Sequence, residues 1–139
     1  MKVVVEENLA AAADRVFAVI GDFAGLEKNE MIRDFTVTGS GVGAVRSVTL
    51  ANGGVIEERL EKHDATARTF TYAIINEQTA LPVAQYVSTV VVTPLDAGAS
   101  TVNWSSTFEP VGISESQAET IIAGVYRGGI ARTRRRLGL

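Results

Sequence analysis

The sequence predicts an α+β domain in which a curved antiparallel sheet of about seven strands wraps around one long C-terminal helix. Three observations predict it. Gly43 to Pro110 is one long stretch of alternating apolar and polar residues, cut by turn clusters, as successive hairpins require. From Ser114 onward the apolar spacing becomes helical and stays so to the C-terminus. Before the alternating stretch, a β-branched segment is followed by an alanine-rich one, a strand and then a helix.

Each element has its local cause. Lys2 to Glu7 is β-branched and alternates weakly, so it reads as the first strand. Ala10 to Ile20 carries Val16, Phe17 and Ile20 at helical spacing, and Gly21-Asp22 ends it. Phe23 to Glu30 reads as a second short helix or a loop, leading into a strand at Ile32 to Thr38. Gly39-Ser40-Gly41-Val42-Gly43 is a turn between strands. It lacks the Lys-Ser/Thr ending and the following helix of a phosphate loop, so nucleotide binding is not expected. Strands follow at Ala44 to Leu50, Val55 to Lys62, Ala67 to Asn76, Val83 to Pro94 and Ser100 to Glu109. Asn52-Gly53-Gly54, Asp64-Ala65-Thr66 and Asp96-Ala97-Gly98 supply the turns. The final helix opens with Ser114 and Gln117, a capping-box pattern, and Ala118, Ile121, Ile122 and Val125 form its apolar stripe. Gly128-Gly129 inside it costs about 1 kcal/mol per glycine relative to alanine, which close approach of the sheet or a ligand would offset. Arg132, Arg134, Arg135 and Arg136 sit where cations favour the helix dipole.

Composition narrows the function. The 139 residues make a single domain, residues 1–139, and the 46% hydrophobic and 21% charged content is that of a soluble globular protein. No apolar run is long enough to cross a bilayer. The N-terminus turns acidic too early for a signal peptide, and there is no cysteine, which together point to the cytoplasm. A net charge of −3 argues against nucleic acid as a partner, and no membrane association is expected. Without cysteine, and with His63 as the only histidine, thiolate and multi-histidine metal sites and a histidine-based triad are excluded. No cofactor or metal is expected. His63 reads as a solvated residue of the Glu61 to Ala67 turn.

Strand parity then sorts the polar residues. Arg46 shares a face with Val48 and Leu50, Glu58 with Ile56 and Leu60, Tyr72 with Phe70 and Ile74, and Trp104 and Ser106 with Val102 and Phe108. The opposite faces carry threonines, serines and charges. A core meant only to pack would not need Arg46, Glu58, Tyr72, Tyr86, Ser88, Trp104 and Ser106 on its buried side, so a lined pocket between sheet and helix is expected. If Asn52-Gly53-Gly54 is the turn, Leu50 lies opposite Ile56 and Val48 opposite Glu58, with Arg46 on the diagonal. The same reasoning at the next turn puts Phe70 opposite Leu60 and Tyr72 opposite Glu58. Arg46, Glu58 and Tyr72 then form one inward cluster. Glu58 is either ion-paired to Arg46 or held in an apolar cavity with a raised pKa, where it exchanges protons.

Gly43-Ala44-Val45-Arg46-Ser47, Gly54-Val55-Ile56-Glu57-Glu58-Arg59-Leu60, Leu81-Pro82-Val83-Ala84-Gln85-Tyr86, Trp104-Ser105-Ser106-Thr107-Phe108 and Gly124-Val125-Tyr126-Arg127-Gly128-Gly129 together resemble the START-like, or SRPBCC, superfamily. The resemblance covers nearly the whole chain and is to its bacterial polyketide cyclase/dehydrase-type branch. It implies a helix-grip fold with two short helices after the first strand and a deep apolar cavity under the last helix. It also implies a hydrophobic ligand, such as a lipid or an aromatic or polyketide-like compound, and a monomer or homodimer. Glu58, Arg46 and Tyr72 are then the candidate catalytic residues of a cyclisation or dehydration. Phe17, Val48, Ile56, Ile74, Tyr86 and Ser88 are candidate ligand-binding residues. So are Trp104, Ser106, Phe108, Ile121, Val125 and Gly129. A non-catalytic carrier or sensor of an apolar ligand is the alternative. An interior filled by its own side chains would instead favour an interaction module using the Arg132 to Arg136 end. Relatives often carry an aromatic residue, His or Pro where this chain has Leu26 to Met31, so roles of those groups do not transfer.

Overall fold

In a computed structural model describing residues 1–139, β1 (Lys2–Leu9) is followed by α1 (Ala13–Ile20), β2 (Ile32–Thr38) and β3 (Val45–Leu50). β4 (Val55–Asp64), β5 (Thr69–Ile74), β6 (Val83–Asp96), β7 (Ala99–Pro110) and α2 (Glu115–Arg136) complete the chain. The seven strands form one antiparallel sheet in the order β1-β7-β6-β5-β4-β3-β2. β2 to β7 are a meander, and β1 adds beside β7, so the chain's first and last strands are neighbours. α2 packs on β1, β7 and α1, which gives the expected helix-grip arrangement. Neither helix is long and apolar enough to cross a membrane.

α1 buries Ala13, Val16, Phe17 and Ile20, a single stripe at helical spacing. The second short helix does not form. Residues 21–31 run as turns and extended chain, because Glu27 to Met31 has no apolar face to bury and Met31 is 70% exposed. Asn29 also diverts the backbone: its Oδ1 accepts from the N–H groups of Met31 (2.7 Å) and Ile32 (2.9 Å).

Parity holds in both hairpins, but each register differs by two residues from the expected one. The first turn is Ala51-Asn52-Gly53, closed by Leu50 N–H donating to Gly54 O (2.8 Å), with Gly53 at φ +87°. Arg46 therefore lies directly opposite Glu58, and Val48 opposite Ile56. In the next hairpin Leu60 faces Tyr72, and Glu58 faces Ile74. A shift of two keeps every side chain on its face, whereas a shift of one would have inverted them all. A bulge between Leu60 and Lys62 then extends β4 through His63 and Asp64. It turns His63 toward α1, where the ring lies 5.3 Å from that of Phe17 and Nε2 is 3.2 Å from Gly21 O. His63 is thus a strand residue whose ring rests against a helix; it is exposed to solvent as expected, but it does not belong to a turn.

The capping box of α2 forms as expected, with Ser114 and Gln117 each bonding the other's backbone. Its buried stripe is Ala118, Ile122, Tyr126, Ile130 and Thr133. Ile121 and Val125 are 40% and 44% exposed, so they are not enclosed between helix and sheet. The cause is the seat of the helix. A Cβ on Gly129 would fall 2.6 Å from Cζ3 of Trp104, so α2 approaches the sheet at that position and presents Tyr126 to it. A Cβ on Gly128 meets nothing within 4 Å. Gly129→Ala should therefore destabilise by about 1–3 kcal/mol in urea unfolding. Gly128→Ala should be neutral or stabilise by up to about 1 kcal/mol. Equal effects of the two substitutions would contradict this seating.

Candidate ligand-binding site

Two neighbouring strands bring Arg46 and Glu58 of the sequence reading together. On the concave face, Arg46 of β3 donates to Glu58 of β4 from Nε (3.0 Å) and Nη2 (2.8 Å), both to Oε1. The side chains are only 14% and 12% exposed. Arg46 Nη1 donates to Phe23 O (3.0 Å), and the guanidinium lies 4.4 Å over the Phe23 ring. Of the two states expected for Glu58, the fold adopts the ion pair. Oε2 accepts no hydrogen bond from the protein, so one carboxylate oxygen is held and the other is free.

Beside this pair lies a phenol cluster. Tyr72 and Tyr86 share a hydroxyl–hydroxyl hydrogen bond (3.2 Å), and Tyr86 bonds in turn to Tyr126 of α2. Trp104 Nε1 donates to Ser88 Oγ (3.0 Å) and to the Tyr72 hydroxyl (3.3 Å), while Ser88 Oγ donates to Ser105 O (2.9 Å). The Trp104 and Tyr126 rings stack at 4.7 Å, 13° from parallel. A bulge between Ala84 and Val87, with Gln85 at φ 54°, delivers Tyr86 to this face. Burial raises the pKa of Tyr72, and the nearby Tyr126 and Glu58 charges raise it further. Burial likewise raises Tyr86, reinforced by Tyr72 and Tyr126. Tyr126 is raised by burial, partly offset by the Ser106, Ser88 and Tyr86 hydroxyls. All three phenols are therefore O–H donors over a wide pH range, not bases.

The open space is elsewhere. A cleft of about 730 Å³ lies between α1, the Gly39 to Val42 loop, and the ends of β2 and β4. Phe17, Phe23, Val37, Val42 and Leu60 give it apolar walls, and Asp14, Asp22, Ser40 and His63 are its polar side chains. Phe23 and Leu60 join the cleft to the buried cluster. Phe23 has Arg46 on its ring and carbonyl, and Leu60 is opposite Tyr72. A smaller pocket of about 240 Å³ is lined by Ile74, Val83 and Tyr86, among others.

The expected ligand-binding residues thus do not line one cavity. Phe17 lines the cleft, and Ile74 and Tyr86 the smaller pocket. Val48, Ser88, Ser106 and Phe108 are buried in the core, and Ile56 is half-buried next to Glu58. Trp104 and Gly129 are packed on each other, and Ile121 and Val125 are exposed. The space expected for ligand at the centre is filled by Tyr126, which strand parity could not reach because it lies on the helix. Its four-residue spacing from Ile122 and Ile130 was the available signal. Phe23 was missed because it stands in a loop without periodicity.

The family profile described as "Polyketide cyclase / dehydrase and lipid transport" matches residues 1–138. Among solved structures, an uncharacterised protein from Bacillus thuringiensis is 29% identical, with 98% of each chain covered and a TM-score of 0.84. XoxI from Bacillus cereus is also 29% identical, covering 97% of this chain and 94% of that one, with a TM-score of 0.84. Norcoclaurine synthase from Thalictrum flavum, in complex with dopamine and hydroxybenzaldehyde, shares the fold. It is 20% identical over 99% of this chain and 86% of that one, with a TM-score of 0.75. No curated protein matches the chain significantly.

Two outcomes follow from the cluster. Arg46→Met should destabilise by about 3 kcal/mol, because Glu58 is left without its partner, and adding Glu58→Leu should recover most of the loss. Urea unfolding of both variants checks this, and a double variant as unstable as the single one would contradict it. The chain's three tyrosines all lie in the cluster. Their folded pKa values are raised, so the fold favours the neutral phenols. The unfolded chain loses protons first, near the ordinary value of about 10, and stability falls as pH rises through and beyond it. Phenolate absorbance should therefore appear together with loss of near-UV circular dichroism. A phenolate titration centred near pH 10 in a still-folded protein would contradict the cluster.

Proposed function

Because the chain belongs to the polyketide cyclase/dehydrase and lipid transport family, we propose that it binds a small hydrophobic compound, aromatic or polyketide-like, in the cleft beside α1. One observation carries this reading: an apolar cleft of about 730 Å³ has in its wall Phe23, which holds Arg46 of the acid and guanidinium pair, and Leu60, which lies opposite Tyr72 of the phenol cluster. The related fold of norcoclaurine synthase holds two aromatic compounds, which is in keeping with it.

The cluster suits proton transfer. Glu58 Oε2 is unbonded and can take the proton α to a ligand carbonyl, while Oε1 stays fixed by Arg46. The negative charge then moves to the carbonyl oxygen, where Arg46 and the Tyr72 hydroxyl can stabilise it. Burial keeps the Tyr72 proton in place for that task. In a dehydration, protonated Glu58 returns the proton to the departing hydroxyl, which leaves as water. In a cyclisation, the enolate carbon attacks a second carbonyl and the proton goes to the new alkoxide. The polar tips lie inside and the cleft is apolar, so the aromatic body of the compound contacts Phe17 and Phe23.

One observation favours the second reading, a non-catalytic carrier or sensor. Tyr72 and Tyr86 are 3% exposed, and Arg46 is already shared between Glu58 and Phe23 O. Substitution separates the two. Ala18 is exposed and lines the cleft, so Ala18→Phe should abolish binding of a neutral aromatic probe such as N-phenylnaphthylamine without loss of stability. Unchanged probe affinity would place the ligand elsewhere. With a compound that the wild type converts, Glu58→Gln should lower kcat by about a hundredfold or more and leave Kd within a few-fold. Unchanged turnover in Glu58→Gln would leave the carrier reading.

A further inference from the structure

We propose that His63 selects the ligand of the cleft by accepting a hydrogen bond at Nδ1, so that the compound taken there carries a hydroxyl group on its aromatic body. This rests on the small-molecule reading above and adds the polar group of the ligand. The chain has one histidine, and a bulge brings it to the cleft. Leu60 faces inward, opposite Tyr72. Period-two alternation from Leu60 would put Lys62 on the concave face and His63 on the outer one. The bulge between Leu60 and Lys62 inverts that order, so His63 lies opposite Phe70, on the concave side. There its side chain lines the cleft together with Phe17, Gly21 and Leu60.

The contacts of the ring fix its tautomer. It rests 5.3 Å from the Phe17 ring, and Nε2 lies 3.2 Å from Gly21 O. A carbonyl oxygen only accepts, so Nε2 carries the hydrogen of that bond. In a neutral imidazole one nitrogen donates and the other accepts, which leaves Nδ1 with a lone pair. Nδ1 has no hydrogen-bond partner in the protein, and the side chain is exposed where it lines the cleft. The other polar groups call for the same kind of ligand. No lysine or arginine lines the cleft, and its charged side chains, Asp14 and Asp22, are acceptors. Asp14 is already held by Arg68 at 2.6 Å. Asp64, next to His63 along the chain, is occupied by the N–H groups of Thr66 and Ala67. None of these carboxylates can donate to Nδ1. An O–H on an aromatic compound lying against Phe17 supplies the hydrogen that Nδ1 lacks, whereas an ether or ketone oxygen would face its lone pair.

The test uses 2-naphthol and 2-methoxynaphthalene, which share a ring system and an oxygen and differ in the O–H. Because His63 is the only histidine, nitrogen-15 spectra of the imidazole report on this ring alone. They are recorded at about pH 8, where histidine is ordinarily neutral. In the free protein they should show the hydrogen on Nε2 and a lone pair on Nδ1. Saturating 2-naphthol should move the Nδ1 resonance toward that of a hydrogen-bonded nitrogen, and 2-methoxynaphthalene should not. Calorimetric titration of both compounds on wild type and His63→Phe gives a second reading, with unfolding curves to establish folding. Phenylalanine keeps a ring against Phe17 and removes both nitrogens. The ratio of naphthol to methoxynaphthalene affinity should be about three- to tenfold higher in wild type than in His63→Phe, the range of one neutral hydrogen bond. A hydrogen on Nδ1 in the free protein would overturn the acceptor. So would a ratio unchanged by His63→Phe, or an Nδ1 resonance that naphthol leaves in place, as binding through Asp22 would. In each of these cases, with both compounds still bound, the apolar cleft would stand. Binding of neither compound by wild type would overturn the small-molecule reading and this proposal with it. The spectra need no variant, so they decide the question even if His63→Phe does not fold.

Discussion

The contact between Trp104 and α2 is the constraint on which the interior depends. Gly129 lets the helix backbone reach the indole, and that approach sets the rotation of α2 about its axis. The rotation carries Tyr126 onto the Trp104 ring and its hydroxyl to Tyr86. From there hydroxyl bonds continue to Tyr72, while the indole N–H ties Ser88 to the same network. A helix seated with any larger residue at 129 would stand farther from the sheet and leave these phenols without partners, at the cost of buried unsatisfied groups. Packing and polar satisfaction are therefore one requirement here.

A second constraint is the segment between α1 and β2. It has no regular structure of its own to hold it, and its backbone carbonyls find their donors in arginines of β3 and α2. In this way the two ends of the fold are tied across the concave face. The same segment divides the open cleft from the ion pair, because Phe23 faces the cleft while its carbonyl and ring hold Arg46. The protein thus combines a largely filled centre with accessible apolar space at one end. The filled centre is what an interaction module would have, and the open space at one end is what a small-molecule site would need.

Charge follows the same logic. Glu58 and Arg46 satisfy each other on a face that is otherwise apolar and phenolic, and the geometry leaves one oxygen of Glu58 free. The phenols are kept neutral by burial, so the cluster holds one carboxyl group, one guanidinium and several O–H donors. Such a set can donate and accept around a carbonyl.

The sequence by itself determined whatever depends on nearest neighbours along the chain. Period-two alternation assigned Arg46, Glu58 and Tyr72 to one face, the turn residues separated the strands, and Ser114 with Gln117 marked the start of α2. These are local properties, since the pleat and the cap each involve only a few consecutive residues. Only the tertiary structure decided the rest. The turn at Ala51-Asn52-Gly53 moved the first register by two residues, the second hairpin moved by the same amount, and the bulge after Leu60 turned His63 toward Phe17. Asn29 and an unburied Glu27 to Met31 removed a helix that the spacing allowed. The seat of Gly129 on Trp104 chose Ile122 and Tyr126 over Ile121 and Val125 as the buried face. Each of these depends on which distant surface an element meets. A helix with apolar residues on two adjacent faces, or a hairpin with more than one acceptable turn, is indifferent to the choice until its partner is in place.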